Sequence, residues 1–404
     1  MSEPRFEFLM DGEFQPHRRR VRYGPELRVL IVGGGVAGLT LAALLEQRGF
    51  APVVVEKSTE YADAGYVIGL WPAGSRILKG LGLFPRFSAI GVQCSHYIVA
   101  NAAGDTLNSF SFEPLGRRYG PLVDIGRFQL IDLLHSAIEP HRIRFGVTVR
   151  EIAERPDGVI AVFDDGTAEE YDILVACDGI HSSIRQLVFG DIPLEYNGAA
   201  GWVFWLPPDF VPPPEIMEYW GTGKFLGMYP MRNRFCAVAA VHAAPNAADP
   251  VETRCERLRS AFGRFGGIVP WVLGELPAPE LLRPVDFSGV HLERWMEGHV
   301  VLVGDAAHAI VPTTGMGASL AMESAAVLAE ELCRTDSKFL MQSLRHYEAR
   351  RRGRVDRIQA MSRRLGRLMF ADNGLVTRLR DNALRILADE PIVHTVDDML
   401  AERI

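Results

Sequence analysis

Three clusters of residues have chemically suggestive types and spacings, and the first is suited to holding a phosphate-bearing ligand. The first is Gly33-Gly34-Gly35-Val36-Ala37-Gly38, which fits G-x-G-x-x-G and is followed, 18 residues after Gly38, by Glu56 and then Lys57. The first glycine of such a motif permits a tight turn, the second lets the backbone approach a pyrophosphate, and the third lets helix and strand pack closely. The helix N-terminus offers unpaired N–H groups and partial positive charge to phosphates. An acid at the distance of Glu56 accepts hydrogen bonds from ribose hydroxyls. The second cluster is Asp178-Gly179, running into Ile180-His181-Ser182-Ser183-Ile184-Arg185. The third is Gly304-Asp305-Ala306-Ala307-His308, then Pro312, Gly315, Met316, Gly317 and Ala318. A glycine-rich turn entering a helix stabilises developing negative charge. For His308 a packed or capping role is the simpler reading than catalysis. Arg185 reads equally as a solvated helix residue or a functional one.

Each cluster needs a strand before it and a helix after it. The apolar runs 27–32, 172–177 and 300–303 predict buried strands, and 52–55 predicts a fourth ending at Glu56. Helices are predicted from Val36 through Leu45 and from about Ala318. Arg18, Arg19, Arg20 and Arg22 precede the apolar stretch 29–45, as in an export signal. Four glycines interrupt that stretch and no small-residue cleavage site follows, so strand, turn and helix is the better reading. Residues 1–26 are expected to lie outside the core fold.

The three motifs, in this order, resemble the single-component flavoprotein monooxygenases of the para-hydroxybenzoate hydroxylase type. The nearest likeness is to the salicylate hydroxylase, urate hydroxylase and zeaxanthin epoxidase branch, over about residues 27–370. The resemblance implies an α/β (α+β) fold: a Rossmann-like FAD-binding lobe, an inserted antiparallel β-sheet lobe for substrate, and C-terminal helices. It implies an FAD domain drawn from residues 27–91, 120–190 and 286–370. The sheet domain would comprise 92–119 and 191–285, with a helical segment over 371–404. Gly33, Gly35, Gly38 and Glu56 match the ADP-binding fingerprint, with Val36, Ala37 and Lys57 beside it. Arg127 matches an arginine that opens a helix and contacts FAD. Asp178 and Gly179 match a segment serving FAD and the nicotinamide donor. Asp305 matches the aspartate that bonds the ribityl chain, and 312–317 the loop that passes the flavin ring. Gly65, Gly69, Leu70 and Pro72 match a flavin-side segment. Met316, Ser319, Ser324 and Ala73 depart from the family, which usually has Gln, Asn, an acid and Asn there. NADH or NADPH would reduce the flavin by transient docking. O2 would add at flavin C4a, and one oxygen would pass to an aromatic, polycyclic or quinone-like substrate.

The segments 198–206, 216–220, 224–231 and 234–242 read as strands without intervening helices, hence an antiparallel sheet. Segments 93–101 and 106–112 are expected to join it. Trp202, Phe204, Tyr219 and Tyr229, with Pro312, are the candidate substrate pocket. Tyr219, Tyr229, His96 and His242 are the candidate catalytic groups. Trp202-Val203-Phe204-Trp205-Leu206-Pro207 nearly matches a flavin-dependent halogenase signature, but the second tryptophan is displaced by one position, which inverts its side chain on a strand. Lys79 would have to serve as the halogenating lysine. A halogenase, and an FAD-dependent reductase or dehydrogenase of an isoprenoid or quinone-like compound, are the alternatives.

Composition sets the outer bounds. The chain has 404 residues, 48% hydrophobic and 23% charged, with net charge −7. That excludes a disordered chain and argues against a dedicated nucleic-acid binder. The cysteines Cys94, Cys177, Cys236, Cys255 and Cys333 are odd in number and lack C-x-x-C spacing, so a disulfide framework, a zinc site or any other metal is not expected. No stretch has the length of an integral membrane segment, and a cytoplasmic monomer or homodimer is the default. Twelve arginines between Arg345 and Arg385 predict an amphipathic helix with an Arg-rich outer face. That face would be simply solvated or would make a weak peripheral membrane contact.

Overall fold

A computed structural model describes residues 21–61, 65–207, 215–386 and 396–401. Its first lobe is built on a six-stranded sheet. The spatial order is Met296–Glu297, Val300–Leu302, Ile173–Ala176, Val29–Val32, Val53–Glu56, Ile143–Phe145. Every pairing is parallel except the one between Met296–Glu297 and Val300–Leu302. The central strands are buried along their whole length, as parallel strands covered on both faces must be. Helix Val36–Glu46 and helix Gly317–Cys333 pack against each other beside this sheet.

Gly304 explains how they come so close. Its φ is +65°, and a Cβ there would lie 2.9 Å from Ala37 Cβ and 3.2 Å from Ala321 Cβ. The turn after Val300–Leu302 is thus pressed against both helices, and Asp305 follows directly.

The second lobe is a seven-stranded sheet. Its order is Arg283–Gly289, Glu195–Trp205, Phe235–His242, Lys224–Pro230, Glu215–Gly221, His96–Asn101, Thr106–Ser111. The expectation of an antiparallel sheet is corrected at one seam, since Glu215–Gly221 and His96–Asn101 run parallel. The single strand expected over 93–101 is also corrected. It breaks at Ser95, whose carbonyl accepts a hydrogen bond from the Phe112 N–H at 2.7 Å. Val92–Cys94 belongs instead to a small sheet with Leu122–Gly126 and Val67–Leu70.

The two faces of the large sheet differ. Trp202, Phe204, Tyr219, Leu226, Met228, Ala237 and Ala239 form one apolar cluster with Leu258, Phe262, Val269 and Val272. Those last four lie on helices Arg254–Phe262 and Val269–Gly274. The opposite face carries Tyr97, Glu218, Trp220 and Tyr229 and packs into the core shared with the first lobe.

Both chain ends are more integrated than expected. Arg22 pairs with Asp172 at 2.5 Å, and the Gly24 N–H bonds to the Thr335 carbonyl, so residues 21–26 dock on the fold. The expected extension otherwise lies outside the described residues. Helix Gly374–Ile386 closes one end of the sheet through Arg380, which donates to the carbonyls of Trp220, Gly221 and Met369. The Arg-rich outer face of helix Leu340–Met369 is corrected in part: Arg345, Arg357, Arg364 and Arg367 are exposed as expected, but other arginines are engaged within the fold. Arg351 and Arg354 are buried against Glu323, Arg350 pairs with Glu330 and Glu331, and Arg363 pairs with Glu195. Among the described residues no helix is long and apolar enough to cross a membrane.

Candidate active site

The glycine loop is shaped by three different demands. Gly33 has φ +106°, and a Cβ there would strike the Cys177 carbonyl oxygen at 2.5 Å. A Cβ on Gly38 would stand 2.0 Å from the Gly33 carbonyl oxygen. A Cβ on Gly35 would meet nothing within 4 Å. The open position lies at the N-terminus of helix Val36–Glu46, whose unpaired N–H groups suit an anion. Glu56 accepts from the Gly34 N–H at 2.8 Å and from the Ser58 N–H at 2.9 Å, which fixes its carboxylate at the strand end. Lys57 beside it is exposed.

Tyr61 was not anticipated from sequence. Its ring packs edge-on to Phe145, and its hydroxyl lies 2.6 Å from where a Gly34 Cβ would be. That hydroxyl is buried without a hydrogen-bond partner among the described residues. An orphaned hydroxyl beside Glu56 suits a ligand rich in oxygen and nitrogen.

Asp305 lies on the wall of a cleft. Solvent reaches its side chain, yet protein surrounds it closely enough that burial pushes its carboxyl above the ordinary range, with Arg127 opposing. Tyr66 behaves alike. It is 46% exposed, but crowding raises its hydroxyl, while Arg127 lowers it. Arg127 opens helix Arg127–His135, and its N–H bonds to the Tyr66 carbonyl at 2.8 Å. Arg127, Tyr66 and Asp305 therefore face one concavity.

Asp178 takes a supporting role. It accepts from Ser182 Oγ at 2.5 Å and the Ile184 N–H at 3.1 Å, capping helix Ser183–Phe189. Gly179, φ +83°, faces open space. Arg185 is neither solvated nor free. It is 5% exposed and donates to the carbonyls of Ile180 and Ala306, tying the second cluster to the third.

The segment 312–317 forms the cleft's other lip. Pro312–Thr314 is a single 3-10 turn, Gly315 has φ +62°, and helix Gly317–Cys333 begins after buried Met316. Pro312 and Gly315 are exposed, and Gly317 and Ala318 partly so. Ser319 does not point at the cleft, since its Oγ accepts from the Trp71 N–H at 3.0 Å. His308 is buried, packed on Trp295 and bonded to Ser324 Oγ at 3.0 Å. Burial and Arg351 push its pKa down to about 3, so it is neutral.

From that lip an aromatic wall runs to the large sheet. A Gly315 Cβ would sit 3.8 Å from Trp71 Nε1. Trp71 meets Phe112 edge-on at 5.7 Å, Phe112 meets Tyr97 at 6.1 Å, and Tyr97 stacks on Phe110 at 4.8 Å. Beyond Tyr97 lies Glu218, 3% exposed. Its Oε1 accepts from Tyr229 Oη and its Oε2 from Trp220 Nε1, both at 2.9 Å, and Tyr97 lies beside it. Burial raises the Glu218 pKa, and the neighbouring donors pull it back. Tyr97 and Tyr229 keep some solvent contact although their hydroxyls are surrounded by protein. Behind them Asp124 lies under Gly69, whose Cβ would be 3.3 Å from Asp124 Oδ1. Burial moves Asp124 up to about 7, and its Oδ2 has no partner.

Five of the predicted pocket and catalytic residues are corrected. Trp202, Phe204 and Tyr219 face the covering helices; Trp202 Nε1 bonds to Asp249 at 3.0 Å, and Tyr219 Oη accepts from the Ile268 N–H. Strand alternation turns them away from the cleft. His242 is exposed, 3.9 Å from Asp372, and His96 alternates with Tyr97 and so faces the other way. Tyr229 alone of the catalytic candidates stands on the inner face. Glu218 and Tyr97 were missed; the available signal was an acid at an inward strand position between aromatics. Lys79 is exposed at the end of helix Pro72–Gly80, and Trp202 and Trp205 lie on opposite faces, which does not favour a halogenase.

This cleft matches a known family. The chain belongs to the FAD-binding domain family, whose profile matches residues 26–362. It is 32% identical to PtmB3, the 3-amino-4-hydroxybenzoate 2-monooxygenase of Streptomyces platensis, over 92% of this chain and 94% of that one. It is 27% identical to the aurachin C monooxygenase/isomerase of Stigmatella aurantiaca, covering 91% and 96%. It superposes on Klebsiella pneumoniae HpxO complexed with FAD and uric acid with a TM-score of 0.86, at 26% identity, covering 94% and 98%. The protein is an FAD-dependent monooxygenase.

Proposed function

We propose that the protein inserts one oxygen from O2 into a planar aromatic or fused-ring small molecule, with NADH or NADPH as electron donor. When bound, FAD supplies the electron transfer and oxygen activation. Gly35 and the N-terminus of helix Val36–Glu46 would hold its pyrophosphate, Glu56 and Tyr61 its adenosine side, Arg127 and Asp305 its middle, and 312–317 its ring. The N–H groups at the start of helix Gly317–Cys333 would stabilise negative charge on the reduced ring. The substrate would lie between that lip and the inner face of the large sheet. Trp71, Phe112 and Tyr97 exclude water and supply flat apolar contact. The observation that carries this reading is the aromatic wall running from Gly315 to two partly accessible tyrosines.

The named relatives agree in chemical class. One carries an aminohydroxybenzoate in its name, another an aurachin, and the structural neighbour was solved with uric acid. On this reading the FAD domain is discontinuous over 27–91, 120–190 and 286–370, and the substrate domain comprises 92–119 and 191–285; strand Arg283–Gly289 of the large sheet crosses the last bound, and Val92–Cys94 pairs outside that sheet.

A substrate panel tests the reading. FAD-loaded protein should oxidise NAD(P)H faster with the right aromatic compound, and the product should gain the mass of one oxygen. Dehydrogenated product formed without oxygen would overturn it. Gly35→Ala should leave the fold intact and raise the FAD dissociation constant at least ~10-fold, about 1.4 kcal/mol, as read by fluorescence titration.

A further inference from the structure

Resting on that function, the geometry points to a substrate that is uncharged where it meets the sheet and that donates a hydrogen bond from a ring N–H, amino or hydroxyl group. The inner face would accept such a donor and reject a carboxylate there.

The inference follows from where the protons of the Glu218 cluster must lie. Trp220 Nε1 is only ever a donor, so Glu218 Oε2 accepts from it. Tyr229 Oη bonds to the same carboxylate at 2.9 Å, and Tyr97 lies beside it on the same face. A phenol has one proton. With its proton directed at Glu218, Tyr229 presents only lone pairs to the cleft. Among the described residues no lysine, arginine or histidine forms an ion pair with Glu218. The anion is thus balanced by neutral donors alone, and a second anion beside it in a low-dielectric site is repelled. Asp124, behind Tyr229, adds to the same field once ionised, above about pH 7.

Gly227 makes the arrangement possible. It lies opposite Glu218 in the sheet, and a Cβ there would stand 2.7 Å from Tyr229 Oη. The Tyr229 ring folds back across the missing side chain to reach the carboxylate. Among the described residues two cations border this face: Arg380 is held over Trp220, bonded to backbone carbonyls, and Arg234 is stacked on Trp205 at 4.0 Å and lies 5.8 Å from Phe128. Arg234 is the residue that would hold a carboxylate if the inference were wrong.

The test uses the FAD-loaded protein and matched pairs of ligands. Neutral amino- and hydroxy-aromatics of one and two rings, such as 2-aminophenol, are each compared with a carboxylated analogue, such as 2-amino-3-hydroxybenzoate. Binding is read from the change in flavin visible absorption. Neutral members should bind at least ~10-fold tighter than their analogues. Glu218→Gln lets an amide N–H donate to one tyrosine, freeing that phenolic proton for the cleft, and it removes the charge. It should therefore narrow the preference at least ~5-fold, chiefly through tighter carboxylate binding. Tyr229→Phe should weaken the neutral members without strengthening the carboxylates. Three results would overturn the inference: carboxylates binding as tightly as their neutral partners, no neutral member binding, or Glu218→Gln leaving the preference unchanged. Loss of the yellow FAD complex from the unmodified protein would instead count against the cofactor assignment.

Discussion

Glu218 and Glu323 are both almost fully removed from water, and the protein solves that problem in opposite ways. Glu323 is met by two guanidinium groups, with Arg351 at 2.8 Å and Arg354 at 2.7 and 2.8 Å. Glu218 is met by a phenol and an indole, with a second tyrosine beside it, and among the described residues it makes no ion pair. The first arrangement fastens helix Leu340–Met369 to helix Gly317–Cys333 and so holds the loop 312–317 in place. The second leaves a carboxyl group with neutral partners at the boundary between the lobes. Asp124 is a third case, buried with one oxygen unpartnered. A buried acid paired to arginine is a fastening; one surrounded by neutral donors retains a field that a ligand can feel.

The largest expected effect tests the fastening. Glu323→Gln strands two buried guanidinium groups and should lower stability by about 3–5 kcal/mol in urea unfolding. A loss under about 1 kcal/mol would mean the pair is dispensable. Next come two opposed pH dependences. Asp124 titrates near 7 in the folded protein against 3.8 ordinarily, so the folded state holds its proton longer. Its stabilising contribution is present below about pH 4 and is lost as pH rises through 7, at up to about 1.4 kcal/mol per unit. His308 titrates near 3 against 6.5. Its contribution is present above pH 6.5 and is lost as pH falls toward 3, with a similar slope of about 1.4 kcal/mol per unit. Between pH 4 and 6.5 the two oppose each other. Relative to the parent protein, Asp124→Asn should make stability rise more steeply with pH there, and His308→Gln should make it fall. Parallel curves for the two variants would refute the assignment.

Smaller effects separate the two faces of the sheet. Glu218→Gln keeps the size and most bonds of the group, so unfolding stability should change by under about 1.5 kcal/mol while ligand preference changes. Tyr219→Phe removes only a long bond to the Ile268 N–H, 3.4 Å. It should cost less than about 0.5 kcal/mol and leave substrate-stimulated NAD(P)H oxidation unaltered. Lower turnover in Tyr219→Phe would place the outer face in the reaction.

The strand–turn–helix elements of the first lobe were legible because their requirements are local. Gly33, Gly35, Gly38 and Glu56 sit within one strand–turn–helix–strand unit, and Asp305 follows its strand directly, so spacing alone locates those turns. The sheet was harder to read. Trp202 and Phe204 look like pocket residues because alternation identifies a face but not which neighbour covers it, and helices Arg254–Phe262 and Val269–Gly274 cover theirs. Glu218 gave little warning, because its neighbour Tyr97 lies more than a hundred residues earlier and reaches it through a parallel seam. The arginines of helix Leu340–Met369 misled in the reverse sense. Their number suggested an outward face, but charge counts do not reveal a buried Glu323 on another helix.

The central sheet also sets a schedule for synthesis. Val29–Val32 pairs with Ile173–Ala176, and that strand with Val300–Leu302, whose next turn carries Asp305. At ribosomal rates of about 5–20 residues per second, roughly 15–55 s separate the first of these strands from the last. During that interval the glycine loop exists beside an incomplete sheet with an exposed strand edge. Cofactor capture is therefore a late event in the life of the nascent chain, and FAD-starved cells should accumulate protein caught with that edge open.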